Sequence, residues 1–375
     1  MRFLINCSNL KTGGGLQVAD SICCSLGKYP QHQFYVVLSS ALRNTKKEIE
    51  SIEHVKIFEY NIQNNYRIIF LGRDAFMDGL VEKKQIDAVL TVFGPSRWNP
   101  RCPHICGFAR AQLVLKDSPH YQRINLKEKL IYKIWKWSFR RSSKVFYTEN
   151  PYISKMLPNL LGKNIQVYSV TNYYNQIFDE PKKWQEKTKI QPFNGTSILT
   201  ISSAASHKNL PIMAEIAKIW LKEKPAFQFR FILTLRPEQC SWVSEEIKSH
   251  FLFLGKIDIS ECPPLYQKCQ VMFMPTLMEC FTATYVEAMK MEVPIVTTDL
   301  EFARGLCGDA ACYYDAIDPK AAAEAIYKVA TDKDYAKRLT DEGKKQLLTF
   351  DNYEQRTEKL IRILESLSER NAANI

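Results

Sequence analysis

The sequence predicts an α/β protein of two halves, each built on a parallel sheet. Short apolar runs alternate with longer stretches of helical periodicity from one end of the chain to the other, the pattern of strands joined by crossover helices. The alternation breaks once, in the Lys-rich stretch Asp179–Asn194 (DEPKKWQEKTKIQPFN), and then restarts. A length of 375 residues also exceeds what one hydrophobic core usually holds, which favours two domains.

The elements follow in order. In the first half the apolar runs Arg2–Asn6, Phe34–Leu38, Val55–Phe58, Asp87–Val92, His104–Phe108, Val145–Thr148 and Gln166–Val170 read as strands. Leu16–Gly27 and Asn125–Arg141 are the clearest helices between them. In the second half the strands are Ser197–Ile201, Phe229–Leu233, Phe251–Leu254, Gln270–Met274 and Pro294–Thr297. Helices fall between these, and further ones run from Lys320 to Thr349 and from Asn352 to about Arg370. Sheets of this kind take ligands at the carboxyl ends of their strands. The expected division is 1–175, a linker at 176–195, 196–350, and a last helix over 351–375.

Composition narrows the classes of function. Hydrophobic residues make up 46% and charged residues 24%, ordinary for a globular protein, and no apolar run approaches the roughly 18 residues of a membrane span. The opening MRFLINCSNLKTGGG reads as a first strand rather than a secretory signal. Eleven cysteines, an odd number without framework spacing or a CxxC pair, point to a reducing, cytoplasmic setting and away from cysteine-held metal. A net charge of +11 calls for an anionic partner: nucleic acid, a membrane surface or a phosphorylated small molecule.

Four stretches can carry chemistry. Gly13, Gly14 and Gly15, in TGGG after the first strand, let backbone approach a ligand at a helix N-terminus. Lys208, in SSAASHKNL after the first strand of the second half, can neutralise a phosphate. In ECFTATYVEAMK, Glu279 and Glu287 stand eight positions apart with small and hydroxylated residues between. Thr284 and Glu287 have the form of a capping box, so a helix is expected to start near Thr284. Glu279 then belongs to the strand-to-helix loop, and the two carboxylates can accept hydrogen bonds from different hydroxyls of one ligand. Finally, Lys129, Lys133, Lys136 and Arg140 form a basic stripe on the helix LKEKLIYKIWKWSFRR, with Leu126, Leu130 and Trp137 on one shoulder and Tyr132, Trp135 and Phe139 on the other. Such a stripe suits an anionic membrane surface or a phosphate-bearing acceptor.

The third stretch resembles the E-x7-E signature of retaining family 4 glycosyltransferases, whose usual form is close to EGFGLPPLEAM. Phe253-Leu-Gly255, Tyr266, MPTLMECF, Pro294–Asp299, Gly308–Tyr314 and HKNL at 207–210 are similar to that family's run through its nucleotide pocket. The resemblance implies the GT-B fold: two Rossmann-like domains facing across a cleft, with the C-terminal helix crossing back to the N-terminal domain. It implies a retaining, metal-independent transfer of a sugar from a UDP- or GDP-linked donor to a glycan or lipid-linked glycan acceptor, in surface polysaccharide biosynthesis. No cofactor beyond the donor and no nucleic acid partner are expected. The expected location is cytoplasmic, with peripheral contact on the inner face of the membrane.

By motif match, Glu287 is expected at the nucleotide ribose, Glu279 at the donor sugar, and Lys208 at the diphosphate. Cys280, Phe281, Thr282, Ala283 and Thr284 form the donor loop, and Gly255, Lys256 and Ile257 lie near the base. The sequence departs from the family at Ser203, where an Arg is common and for which Arg236 or another basic residue is the expected substitute, and at Cys280 and Thr282, which replace glycines. The N-domain catalytic His has no clear counterpart: His104 comes too early, and His120 reads either as reaching the acceptor region or, more often for a lone loop His, as incidental. Asp332-Lys-Asp334, formally a DxD metal motif, reads as surface charge. Two other readings are an epimerase or phosphorylase of the same fold and a basic protein that binds membrane or nucleic acid without catalysis.

Overall fold

The computed structural model describes residues 1–373 apart from Thr12, Asn64 and Arg123, so Thr12 of the TGGG stretch lies outside the described residues. The chain forms two compact units: Met1–Val114, Ile124–Asn172 and Asp351–Ile375 make the first, and Leu115–Arg123 with Tyr173–Phe350 make the second.

The first unit is a seven-stranded parallel sheet of β1 (Arg2–Cys7), β2 (Gln33–Leu38), β3 (Val55–Glu59), β4 (Ala88–Thr91), β5 (His104–Gly107), β6 (Val145–Thr148) and β7 (Gln166–Ser169). Their order is β3-β2-β1-β4-β5-β6-β7. β1, β2 and β4 are almost wholly buried, as expected where helices cover both faces of a parallel sheet. On one face Phe3, Ile5, Phe34, Val36 and Leu90 share a core with Leu360, Ile361 and Leu364. These last three come from the helix Tyr353–Ala372, so the C-terminal helix is part of the first unit.

The second unit is a six-stranded parallel sheet of β8 (Thr196–Thr200), β9 (Phe229–Leu233), β10 (Phe251–Phe253), β11 (Val271–Met274), β12 (Ile295–Thr298) and β13 (Ala311–Tyr314). Their order is β10-β9-β8-β11-β12-β13. Chain order runs outward in one direction from β8 to β10 and in the other from β11 to β13. The switch point therefore lies between β8 and β11, where an open parallel sheet of this type takes its ligand. Trp220, fully buried, centres the core of one face beside Phe229 and Phe231.

The twelve predicted strands are all present, with ends shifted by at most two residues. β13 was not predicted as a strand, because Ala-Cys-Tyr-Tyr is short and lacks a β-branched residue. The first helix begins at Gly14 rather than Leu16, with Gly13 as its N-cap at φ +80°. Residues 176–195, expected as a linker, group with the second unit. Several of their polar groups are bonded there. The Trp184 indole donates to Ile177 O (2.7 Å), Gln185 N to Ser260 O (3.0 Å) and Thr188 N to the Glu261 carboxylate (3.1 Å). Glu186 pairs with Lys268. The chain changes unit around Leu115–Arg123, and again at Asn172/Tyr173 and at Phe350/Asp351. In the first unit these two chain segments are laced together: Thr171 N donates to Asp351 Oδ2 (3.0 Å), Asp351 N to Thr171 Oγ1 (2.6 Å), and Arg356 to the Asn172 side chain.

Candidate active site

The site is built in the second unit from the loops that follow β8 and β11. Because these strands are hydrogen-bonded neighbours, their carboxyl-terminal loops start side by side. After β8 the chain makes a single 3-10 turn, Ser206–Lys208, and leaves it through Asn209 in the left-handed region (φ +51°). Asn tolerates that conformation better than most residues. After β11, Leu277 N donates to His207 O (2.8 Å), which ties the second loop to the first.

Lys208 Nζ donates to Glu279 Oε1, and both side chains are nearly buried. The same oxygen accepts from Thr276 Oγ1 (3.1 Å) and lies 3.8 Å from His207 Nε2. Lys208 and Glu279 were expected to meet two different parts of a donor; in the structure they meet each other.

Two histidines join this cluster. His207 stands beside Lys208, and the His120 ring is 5.8 Å from it. His120 is brought there because Ser118 Oγ donates to Leu277 O (2.6 Å), pinning Leu115–Arg123 to the second unit. Burial lowers the His207 pKa below its ordinary 6.5 against the opposing pull of Glu279. His120 is therefore a neighbour of the site rather than incidental. Its sequence signal is no more than a lone loop histidine, whereas His207 was adjacent to the residue already singled out.

Glu287 lies on the helix Ala283–Lys290 and is only 4% exposed. The expected capping box is not formed. Thr282, not Thr284, is the N-cap and makes no side-chain capping bond; its hydroxyl meets that of Thr284, 2.8 Å away. Glu287 instead accepts from the hydroxyl of the fully buried Tyr266 (3.0 Å). Long-range packing overrides the local signal here: a tyrosine 21 residues upstream reaches the carboxylate first. Burial pushes the Glu287 carboxyl up to about 7, the Tyr266 hydrogen bond acting in the opposite direction. Cys280 is buried, and the Phe281 ring lies 6.1 Å from that of Phe350.

Gly255 lies early in the loop after β10 at φ +69°, beside Arg236, which is exposed. Lys256 is exposed as well, and Ile257 lines a recess with Leu254, Glu261, Leu265, Gln185, Thr188 and Ile190. The glycine loop, His104 and the basic stripe belong to the first unit. A Cβ at Gly13 or Gly14 would meet nothing within 4 Å, so space is open on that loop. His104 is a core residue between Thr91 Oγ1 (2.9 Å) and Ser142 O (2.7 Å), with its pKa lowered by burial to about 4. Asp332 caps the helix Lys333–Leu347 through Tyr335 N (2.9 Å), which accounts for the DxD match.

Among the described residues one group of metal-type ligands falls together, Asp20, Cys24 and Glu48 in the first unit. Burial holds Cys24 well above its ordinary value, and its thiol already meets Glu48 (3.2 Å). A protonated thiol is a poor ligand.

Residues 195–365 match the family model described as glycosyl transferases group 1. No curated protein matches the chain. Solved structures share its fold over almost the whole length. A glycosyltransferase from Rickettsia africae ESF-5 is 15% identical, with a TM-score of 0.71 and 98% of each chain covered. Anabaena HepE, in complex with UDP and glucose, is 13% identical with a TM-score of 0.65, covering 97% of this chain and 99% of its own. WaaG, a glycosyltransferase involved in lipopolysaccharide biosynthesis, is 14% identical with a TM-score of 0.66 and the same coverage. The fold is GT-B, and residues 195–365, just under half of the chain, match the group 1 glycosyl transferase model.

Proposed function

We propose that this enzyme is a retaining, metal-independent glycosyltransferase that uses a UDP- or GDP-linked sugar. The observation that carries this reading is the placement of Lys208 and Glu279 on adjacent loops at the switch point of the second sheet. A lysine held there by a carboxylate can be transferred to a diphosphate without first being stripped of water. As the bond from the sugar to the diphosphate breaks, negative charge develops on the phosphate oxygens, and the Lys208 ammonium stabilises it. Backbone amides at Phe281–Ala283 lead into the helix Ala283–Lys290 and add donors at its positive end.

Glu279, displaced from Lys208, accepts from a hydroxyl of the donor sugar while Thr276 holds its carboxylate in place. Glu287 accepts from the ribose hydroxyls. Its burial makes it a selective partner, because hydrogen bonds from two hydroxyls stabilise the charged form that the apo site disfavours. The acceptor we assign is a glycan or lipid-linked glycan of surface polysaccharide biosynthesis, in line with the role of WaaG. The test is release of nucleoside diphosphate from UDP- and GDP-sugars with a glycan acceptor, in EDTA and in Mg²⁺. Equal turnover in EDTA with retention of anomeric configuration is expected. Strict dependence on the divalent ion, or inversion, would refute the mechanism.

A further inference from the structure

The first unit carries an exposed apolar face that the transfer reaction does not use. On the helix Leu126–Ser142 the side chains of Leu126, Leu130, Ile134 and Trp137 are 84%, 59%, 40% and 41% exposed. At 100° per residue they fall within about 80° of one another. The buried residues of this helix, Ser138, Phe139 and Ser142, are on the opposite side. Its apolar stripe therefore points outward. An ordinary amphipathic helix of a globular protein points its stripe at the core.

A second element extends the face. Segment Arg67–Leu71 carries Phe70 and Leu71, with Tyr66 just before it, all 61% exposed or more. The Phe70 ring lies 6.4 Å from that of Trp137. Arg141 fastens the segment to the helix: its guanidinium donates to Ile69 O (2.7 Å) and Ile68 O (3.0 Å) and lies over the Trp137 ring (4.3 Å). Gly72 closes the segment at φ +69°, where an added Cβ would come within 3.0 Å of Asn99 Cβ.

Basic residues border this apolar surface. Lys129, Lys133, Lys136 and Arg140 form the adjoining stripe, Lys127 lies on the other side, and Arg67 belongs to the second element. The helix holds six basic residues and one acidic one, Glu128, which is occupied in the N-terminal capping box with Asn125. Two copies of this chain meeting on this face would oppose two such helices, which charge repulsion disfavours. Among the described residues no helix is long and apolar enough to cross a membrane.

We infer that this face docks the protein on an anionic lipid surface, with Leu126, Leu130, Trp137 and Phe70 entering the acyl boundary and the lysines meeting the headgroups. Aromatic and leucine side chains beside a basic rim are the chemistry that such an interface selects. It gives the peripheral contact suggested by the basic stripe an apolar anchor and a second element, and it operates whether or not a nucleotide sugar is bound.

The test is co-sedimentation of the full chain with vesicles of phosphatidylcholine alone or with one third phosphatidylglycerol, without donor. Binding to the anionic vesicles is expected, with little to the neutral ones. Lys129→Gln with Lys133→Gln should weaken it about fivefold per charge removed. Leu126→Ser with Leu130→Ser should weaken it more than tenfold at unchanged melting temperature, since both side chains are already exposed. No binding to either vesicle overturns the inference. So does binding that the leucine variant leaves unchanged, which would be a purely electrostatic contact. A concentration-dependent dimer abolished by the leucine variant, with no vesicle binding, would assign the face to a second copy.

Discussion

Replacing Glu287 by Gln tests the site through two effects of opposite sign. Gln keeps the shape and an oxygen for the Tyr266 hydroxyl but removes the ionisable group. In the wild type the folded carboxyl is held at about 7 against an ordinary 4.5. The folded state therefore binds the proton more tightly than the unfolded one. Stability from this group is present at low pH and is lost as pH rises from about 4.5 through 7. Between pH 5 and 8 the loss is on the order of 2–3 kcal/mol, or roughly 5–10 °C in the melting of a unit this size. Glu149, buried in the first unit and also held at about 7 by burial, adds its own slope to both proteins. The informative quantity is thus the difference between them. The assay is thermal melting of wild type and Glu287→Gln at several pH values, with and without UDP or GDP. The apo variant should lose less stability toward pH 8 than the wild type. It should also bind nucleotide about 10- to 150-fold more weakly at pH 8, the value of losing hydrogen bonds to a charged acceptor. Equal pH slopes would show that Glu287 does not titrate near neutrality, and equal affinities would remove it from the ribose.

Lys208→Met should weaken nucleoside diphosphate binding more than tenfold and abolish turnover, leaving Glu279 with Thr276 and His207 as neighbours; calorimetry and product release check both. Gly13→Ala should cost about 1–2 kcal/mol because φ +80° places its Cβ in the disfavoured left-handed region. Gly14→Ala, with open space around it and ordinary φ, should leave melting unchanged. Arg356→Leu should destabilise the first unit by about 3–5 kcal/mol in denaturant titrations, since it leaves the buried Glu149 without its compensating charge and Asn172 without its partner.

Much of the architecture was legible because parallel strands buried on both faces appear as apolar runs. Elements with weaker composition were less legible: Ala311–Tyr314 has no β-branched residue, and the polar stretch after Asp179 reads as tether though its groups are bonded to Ser260, Glu261 and Lys268. At the site, Glu279, Glu287 and Lys208 could be singled out by residue type, position after a strand and spacing. The partner of Glu287 could not. A T-x-x-E pattern is local, whereas Tyr266 arrives from another helix.

By itself, then, the sequence determined the order of strands and helices, a glycine loop before the first helix, and which carboxylates and lysine were available. Tertiary structure alone decided that Lys208 and Glu279, 71 residues apart, meet, because the pairing of β8 with β11 sets their loops side by side. It also decided that Glu287 is buried enough to titrate near neutrality, and that the apolar stripe of Leu126–Trp137 faces outward. Burial and strand adjacency are sums over the whole chain, and no local window of residues contains them.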